Sequence, residues 1–588
     1  MQEIVLETSC GPIRGTVRGG TMIFRGIDYA RCERFAPAIP VESWEGTYDA
    51  RDYGTVCPQR SCRLASVIGA EKGAYIDEHR LCLSVYAPEG ARDLPVMVWI
   101  HGGAFVTGGS EEKRYSGERL VAAGNVIVVK ISYRLGALGY LWMPGKGAAN
   151  LGLEDQRTAL EWIRRNISGF GGDPDNITVF GQSAGAFSIA ALIATSKGRL
   201  PMRRAILQSP PLGTSMPEAK AEKIARKFLK VLGKDPFTAS IDEILDAQEK
   251  IDGKSLSPMF QPIVADATAI PECVPSDFEI VCGHTEHETS PFLRKILGRS
   301  LGRPLGRAVV RASSDNVFVK PARAYLEKYG KLGISATEYH LTWHPEGNPL
   351  GSCHCIEMPF LLGFREDWKD SAMMQVTPHG EFERISRIFL RAWTGFANGK
   401  GFPDIASAID TAQRKQALRK QMEALRSSTT QSQAAESEAI AKAIMQLPQW
   451  QDAKTVLLYN SINAEVDTSL LLSAQGKRIL LPVVEGDSLV LREYRKDSLV
   501  PGYKGIMEPS SDCPSADPAM VDLALVPGVA FDRRYHRLGR GKGFYDRLLP
   551  LLSCPVIGMG FSWQVVDSVP VESHDILLSG VVTPEGLV

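Results

Sequence analysis

A short apolar run at residues 177–180 passes directly into Gly181-Gln182-Ser183-Ala184-Gly185 and then into a helical stretch at 186–194. A G-x-S-x-G pentapeptide between a strand and a helix requires a sharp turn, because side chains at the glycine positions would clash, and the serine hydroxyl is left projecting at the sheet edge. Further Val/Ile-rich runs lie at 96–100, 126–131 and 205–208, separated by helical segments such as 155–166. Buried strands alternating with helices predict an α/β fold with a mainly parallel sheet and right-handed crossovers. Glycine-rich turns between short β pieces at 10–29 predict an antiparallel meander at one edge. Strand candidates at 279–283 and 338–343 and an amphipathic helix at 381–397 complete this part of the chain.

With 588 residues the chain is too long for one compact core. Glycine and proline near 399–410 end the helical pattern, and a Lys/Arg/Gln-rich helix begins, so the boundary is placed there, giving domains 1–404 and 411–588. Runs at 455–459, 478–483, 523–527 and 555–560 predict a second, smaller open α/β sheet, and 427–438 reads as an inter-helix turn. Sixty-seven basic residues balance sixty-seven acidic ones, so no global field draws the chain to nucleic acid or an anionic membrane. Eleven cysteines without dense spacing, no basic apolar leader and no apolar run of membrane-spanning length predict a reduced, cytoplasmic protein.

A serine hydroxyl near neutral pH needs a base, a group to orient that base, and donors for the developing oxyanion. The apolar run 96–100 ends in His101-Gly102-Gly103-Ala104-Phe105, whose small side chains free backbone N–H groups, so the oxyanion donors are assigned to Gly103, Ala104 and Ala184. HGGAF, N-x-x-L-x-D-Q at 150–156, FGGDP at 170–174 and GQSAG arrive in the order of the type B carboxylesterases, and the resemblance covers about residues 1–404. It implies the α/β-hydrolase fold and a Ser-Glu-His triad for hydrolysis of a small-molecule ester. On its pattern Glu288, in Gly283 to Glu288, is the acid, and His354, in Gly351-Ser352-Cys353-His354, is the base; Ser183, Glu288, His354 is also the α/β-hydrolase chain order. Glu286, His284 and His287 compete with Glu288 locally, and the family register selects the last. Cys353 and Cys355 flank His354 without zinc-ligand spacing, so no metal is assigned there.

Two departures from that family bear on compartment. Arg80 stands where secreted relatives carry a disulfide-bonded cysteine, with Cys82 two residues on, so the resemblance implies that Cys57 lacks its usual partner. The sequon Asn176-Ile177-Thr178 then goes unmodified. The alternative for this half is a non-catalytic, cholinesterase-like binding module; such modules usually lose the nucleophile, which is present here.

The second half carries Arg537-Leu538-Gly539-Arg540-Gly541-Lys542-Gly543-Phe544-Tyr545-Asp546-Arg547, in which three alternating glycines can form an N–H nest and Arg540 and Lys542 supply charge for an anion. It is not a Walker A loop. LVPGVAFDRR followed by RLGRGKGFYDR resembles the signature of the 5-formyltetrahydrofolate cyclo-ligases, from about Gln413 to the C-terminus, and Lys415-x-x-x-Arg419 and Asn460 to Thr468 agree with it. The resemblance implies ATP-dependent closure of 5-formyltetrahydrofolate to 5,10-methenyltetrahydrofolate with Mg²⁺. It assigns Lys415, Arg419 and Arg537, Leu538, Gly539, Arg540, Gly541, Lys542, Gly543, Phe544 and Tyr545 to the nucleotide, Asn460, Glu465, Arg540 and Phe544 to folate, and Asp546 to Mg²⁺. Phe544 replaces a frequent tyrosine, and Ser579 an aspartate that helps hold the metal. The rival for this half is a kinase-like or nucleotide-sensing domain. The expectation for the whole chain is a bifunctional enzyme, esterase followed by cyclo-ligase.

Overall fold

The computed structural model describes residues 2–62, 64–69, 75–146, 149–214, 216–252, 258–428, 433–462, 465–486, 488–572 and 575–588. The chain divides into two compact units, Met1–Ala406 and Ser407–Val588.

The first unit is built on one large sheet. Its strands are β1 (Gln2–Thr8), β2 (Gly11–Arg18), β3 (Thr21–Arg31), β4 (Arg80–Pro88), β5 (Leu94–Ile100), β6 (Ile127–Ile131), β7 (Gly172–Gln182), β8 (Arg204–Gln208), β9 (Glu279–Thr285) and β10 (Ser335–Leu341), in the order β1-β2-β3-β4-β6-β5-β7-β8-β9-β10. β2 and β3 form the antiparallel hairpin expected at 10–29, β1 adds a further antiparallel strand outside it, and β4 runs antiparallel to both its neighbours. From β6 to β10 every pairing is parallel. Parallel strands are covered on both faces, which is why β5 reads as an apolar run and why β5, β6 and β8 are buried almost throughout, Lys130, Arg204 and Gln208 included. Helix α1 (Leu151–Asn166) carries the N-x-x-L-x-D-Q segment. Its Asp155 is fully buried and takes Arg134 Nη2 at 2.6 Å, while Asn150 exchanges two hydrogen bonds with the Ile263 backbone. The motif therefore ties loops to the sheet. Helix α2 (Ala184–Ala194) is apolar but for Ser188 and buried from Ala184 to Ile193, as a helix at the centre of a layered core must be.

The described cysteines are free thiols. At the departure noted in the sequence, Arg80 pairs with the buried Asp28 at 2.8 Å, Cys82 Sγ donates to the same carboxylate, and Cys57 Sγ accepts the Leu135 N–H. An ion pair thus occupies the position at which the resemblance led one to look for a cross-link.

The second unit has its own eight-stranded sheet: β11 (Thr455–Leu457), β12 (Arg478–Glu485), β13 (Ser488–Glu493), β14 (Ser515–Ala516), β15 (Leu523–Pro527), β16 (Val556–Met559), β17 (Gly580–Thr583) and β18 (Gly586–Leu587), ordered β14-β13-β12-β11-β15-β16-β17-β18. The middle five are parallel. Alternate residues face two apolar layers, Val456, Leu525 and Ile557 on one side and Leu457, Ala524 and Val526 on the other. The segment 427–438 expected as a turn is mostly helical: 427–428 end the helix Ile405–Ser428, 433–438 open the helix Gln433–Met445, and residues 429–432 lie outside the described residues. No helix among the described residues is long and apolar enough to cross a membrane.

Candidate active sites

In open α/β sheets ligands gather at the C-terminal ends of the parallel strands. In the first unit β5 ends before His101, β7 before Ser183, β8 before Ser209 and β9 three residues before Glu288. Ser183 sits at φ 56° and ψ −118°, the strained turn that a strand-to-helix reversal imposes. Glycine is required beside it: a Cβ at Gly185 would lie 2.1 Å from the Ile100 carbonyl oxygen. The His101 loop closes over the same point, since a Cβ at Gly102 would stand 3.2 Å from Ser183 Cβ. Gly103 (φ 116°) and Ala104 (φ 54°) turn in the left-handed region. Their N–H groups and that of Ala184, the first residue of α2, donate to no protein acceptor among the described residues.

Glu288 and His354, sixty-six residues apart, meet at 2.5 Å between Oε2 and Nδ1, both side chains essentially out of solvent. The local competitors are engaged elsewhere: Glu286 with Arg311, and His284 with Glu338. His354 Nε2 lies 3.0 Å from Gln182 Nε2, the side chain next to the nucleophile, whereas Ser183 Oγ makes no hydrogen bond among the described residues. Gln182 Oε1 accepts the Cys355 thiol at 3.4 Å, so the amide turns its NH₂ toward the imidazole. An NH₂ can only donate, so Nε2 presents its lone pair and the ring proton sits on Nδ1, facing Glu288. That is the tautomer a general base requires.

Burial alone would raise the Glu288 carboxyl, but the facing His354, by charge and hydrogen bond, and the Thr285 N–H at 2.7 Å hold it below its ordinary range. Glu357 is affected in the opposite sense. Burial, then repulsion from Glu288, pushes it up to about 7, with the Tyr339 hydroxyl donating to it at 3.3 Å. The native state holds this proton where the unfolded chain has lost it, so the associated stability is present below the ordinary carboxylate value of 4.5 and is lost as the pH rises through about 7. Glu357→Gln is expected to flatten the decline of melting temperature between those two values; an unchanged slope would show that Glu357 is ionised in the fold.

In the second unit β15 ends at Pro527, whose carbonyl accepts Arg537 Nη1 at 3.2 Å. The same buried guanidinium holds Asp546 at 3.1 Å and lies over the Tyr545 ring, and burial lowers its pKa despite Asp546. Arg419 Nε donates to the Gly539 carbonyl at 2.8 Å, beneath Gly541 (φ 90°), and Gly543 (φ 69°) opens the helix Phe544–Leu548. Lys415 is held between Glu572 and Asp575 at 2.7 and 2.6 Å. Arg540 reaches Glu465 at 2.8 Å, Asn460 donates to the Met507 carbonyl, and Phe544 packs edge-on against Tyr503. Leu538 is buried in a small sheet, and Lys542 is exposed. Asn463 and Ala464 of the Asn460–Thr468 segment lie outside the described residues. Ser579 is at the other end of the sheet: its Oγ accepts the N–H of Val556, the first residue of β16, at 3.0 Å. The hydroxyl completes a strand start, away from the strand ends that carry Arg537. The described residues contain no cluster of three metal-ligating side chains.

Residues 2–300 match the Carboxylesterase family, just over half of the chain. The chain belongs to the carboxylesterase family. Its residues 411–584 match the 5-formyltetrahydrofolate cyclo-ligase family, and both are families of enzymes. A probable N-octanoylanthranilate hydrolase of Rhodococcus erythropolis is 35% identical over 417 residues, covering 66% of this chain and 91% of that protein. A para-nitrobenzyl esterase of Bacillus subtilis is 34% identical over 446 residues, covering 68% and 90%. A solved PNB esterase superposes with a TM-score of 0.58 at 32% identity, covering 68% of this chain and 91% of that one. A Geobacillus stearothermophilus carboxylesterase gives 0.57 at 26%, covering 68% and 93%.

The sequence did not single out several residues of this carboxylesterase site. Gln182 was the unassigned slot of the pentapeptide and turns out to touch the imidazole. Phe318 lies 5.2 Å from the His354 ring on a π-helical turn, Asp315–Val319, and Phe292 lies 5.5 Å away. A π turn leaves no periodicity that reading at 3.6 residues per turn would catch.

Proposed function

We propose that the chain is a bifunctional enzyme, a serine carboxylic-ester hydrolase followed by an ATP-dependent 5-formyltetrahydrofolate cyclo-ligase. The observation that carries the first activity is the Glu288–His354 hydrogen bond beside a strained Ser183. His354 Nε2 takes the Ser183 proton as Oγ attacks the ester carbonyl. The N–H groups of Gly103, Ala104 and Ala184 receive the oxyanion, and His354 returns the proton to the leaving alkoxide. Water then repeats the cycle on the acyl-serine and releases the acid. For Nε2 to reach Oγ, the Gln182 amide must yield its contact when substrate binds.

The cyclo-ligase reading is supported by the match of residues 411–584 to that family and by the buried Arg537 at the end of β15 with its Asp546. The 5-formyl oxygen attacks the terminal phosphoryl group of ATP and displaces ADP, the neighbouring ring nitrogen closes on the activated carbon, and phosphate leaves. Arg537, Arg540, Lys415 and Arg419 position the anions, with Glu465 and Asn460 toward the pterin. Asp546, one oxygen of which is held by Arg537, fits the single protein carboxylate a phosphate-bound Mg²⁺ commonly takes. That ion would supply charge neutralisation at the transferring phosphoryl group. Hydrolysis of a chromogenic short-chain ester tests the first half. Methenyl-folate absorbance that requires 5-formyltetrahydrofolate, ATP and Mg²⁺ together tests the second. An inert first half would make it the non-catalytic binding module, and ATP consumption independent of folate would refute the cyclo-ligase.

A further inference from the structure

The balanced total charge hides one strongly asymmetric segment. Between Thr289 and Ser314 the sequence holds Arg294, Lys295, Arg299, Arg303, Arg307 and Arg311 and not one aspartate or glutamate. This segment forms two helices in contact with each other, α3 (Ser290–Leu297) and α4 (Pro304–Ser314). Arg311 is neutralised by Glu286, whereas Lys295, Arg303 and Arg307 pair with no carboxylate among the described residues. The same two helices expose Phe292, Ile296, Leu305 and Val309, Ile296 to 68% and Leu305 to 79%. Spacings of four residues align these side chains: Phe292 with Ile296 along α3, Leu305 with Val309 along α4, and Arg307 with Arg311 in a separate row on α4. A water-facing helix pair does not need four large apolar side chains exposed together.

We infer that α3 and α4 form an interfacial patch by which the enzyme rests on an anionic lipid surface. The apolar side chains enter the headgroup boundary, and the unpaired cations meet lipid phosphates and carboxylates. Charge alone would suit any polyanion, and the apolar rows are what select a lipid–water boundary. The patch is continuous with the catalytic cleft: Phe292, at its inner end, lies 5.5 Å from the His354 ring. Resting on the esterase reading, the patch makes esters with long apolar chains, delivered from a lipid phase, the substrate class of the first unit.

The test is flotation of the full chain with vesicles of phosphatidylcholine alone and of phosphatidylcholine mixed with phosphatidylserine, at low and high salt. The chain is expected to float with the mixed vesicles at low salt and to remain behind with the zwitterionic ones. K295E/R303E/R307E is expected to weaken that binding on the order of a hundredfold, at about 1 kcal/mol per cation. I296S/L305S/V309S is expected to weaken it at least about tenfold. Turnover of a soluble short-chain ester by both variants reports that they are folded, and Ser183→Ala is expected to float like the native chain, so failure of the esterase reading leaves the vesicle result standing. Three outcomes overturn the patch: no binding to the mixed vesicles at low salt, binding that neither triple variant reduces, or binding that the serine variant leaves intact and heparin matches, which would assign the cations to an acidic macromolecule.

Discussion

Ser183→Ala is expected to lower ester turnover by on the order of 10⁴-fold or more, the loss seen when a triad nucleophile is removed. The methenyl-folate signal of the same preparation is expected to stay unchanged. Alanine has no hydroxyl, and the three N–H donors and the Glu288–His354 pair remain, so any turnover left reports the oxyanion site and binding alone. The substitution is mild for the fold: alanine meets the same strain at φ 56° as serine, and the two units have separate hydrophobic cores. Ester turnover and methenyl-folate formation measured on one sample therefore serve as each other's folding control. Turnover retained within about tenfold would place the nucleophile elsewhere.

Most of the parallel strands were legible because parallel strands buried on two faces become apolar runs: 523–527 coincides with β15, and 96–100 lies within β5; the antiparallel β4 and β13 and the edge-side β17 were not read. Ser183 was legible because its turn leaves small residues at fixed positions, and Glu288 was separable from Glu286 only through a register borrowed from a family. What was not legible depends on approach across long sequence separations. Nothing local marks Glu572 and Asp575 as the partners of Lys415 more than 150 residues earlier, or Glu357 as a carboxyl that burial, and then Glu288, push up to about 7. The metal role considered for position 579 shows the converse limit. A motif slot names a residue type, whereas the neighbouring strand decides what it does, and here that strand takes the Ser579 hydroxyl as a backbone acceptor.

Arg537→Leu is expected to abolish methenyl-folate formation and to destabilise the second unit by about 3 kcal/mol, the lower end for breaking a buried ion pair. The guanidinium is 6% exposed and Asp546 35%, so the carboxylate left behind is partly hydrated and the loss stays below that of a fully buried orphan. Activity loss alone would not separate a binding role from a structural one, because the guanidinium also ties the glycine-rich loop to Pro527. The double variant R537L/D546N separates them. Removing the stranded charge is expected to restore most of the stability, read as the urea midpoint of the second transition. Binding of ATP, measured by calorimetry without folate or turnover, is expected to stay lost if Arg537 holds phosphate. A single variant that binds ATP with native affinity would confine Arg537 to bracing the loop. Phosphate recognition would then fall to Arg540 and Lys415, whose carboxylate partners would have to release them on binding.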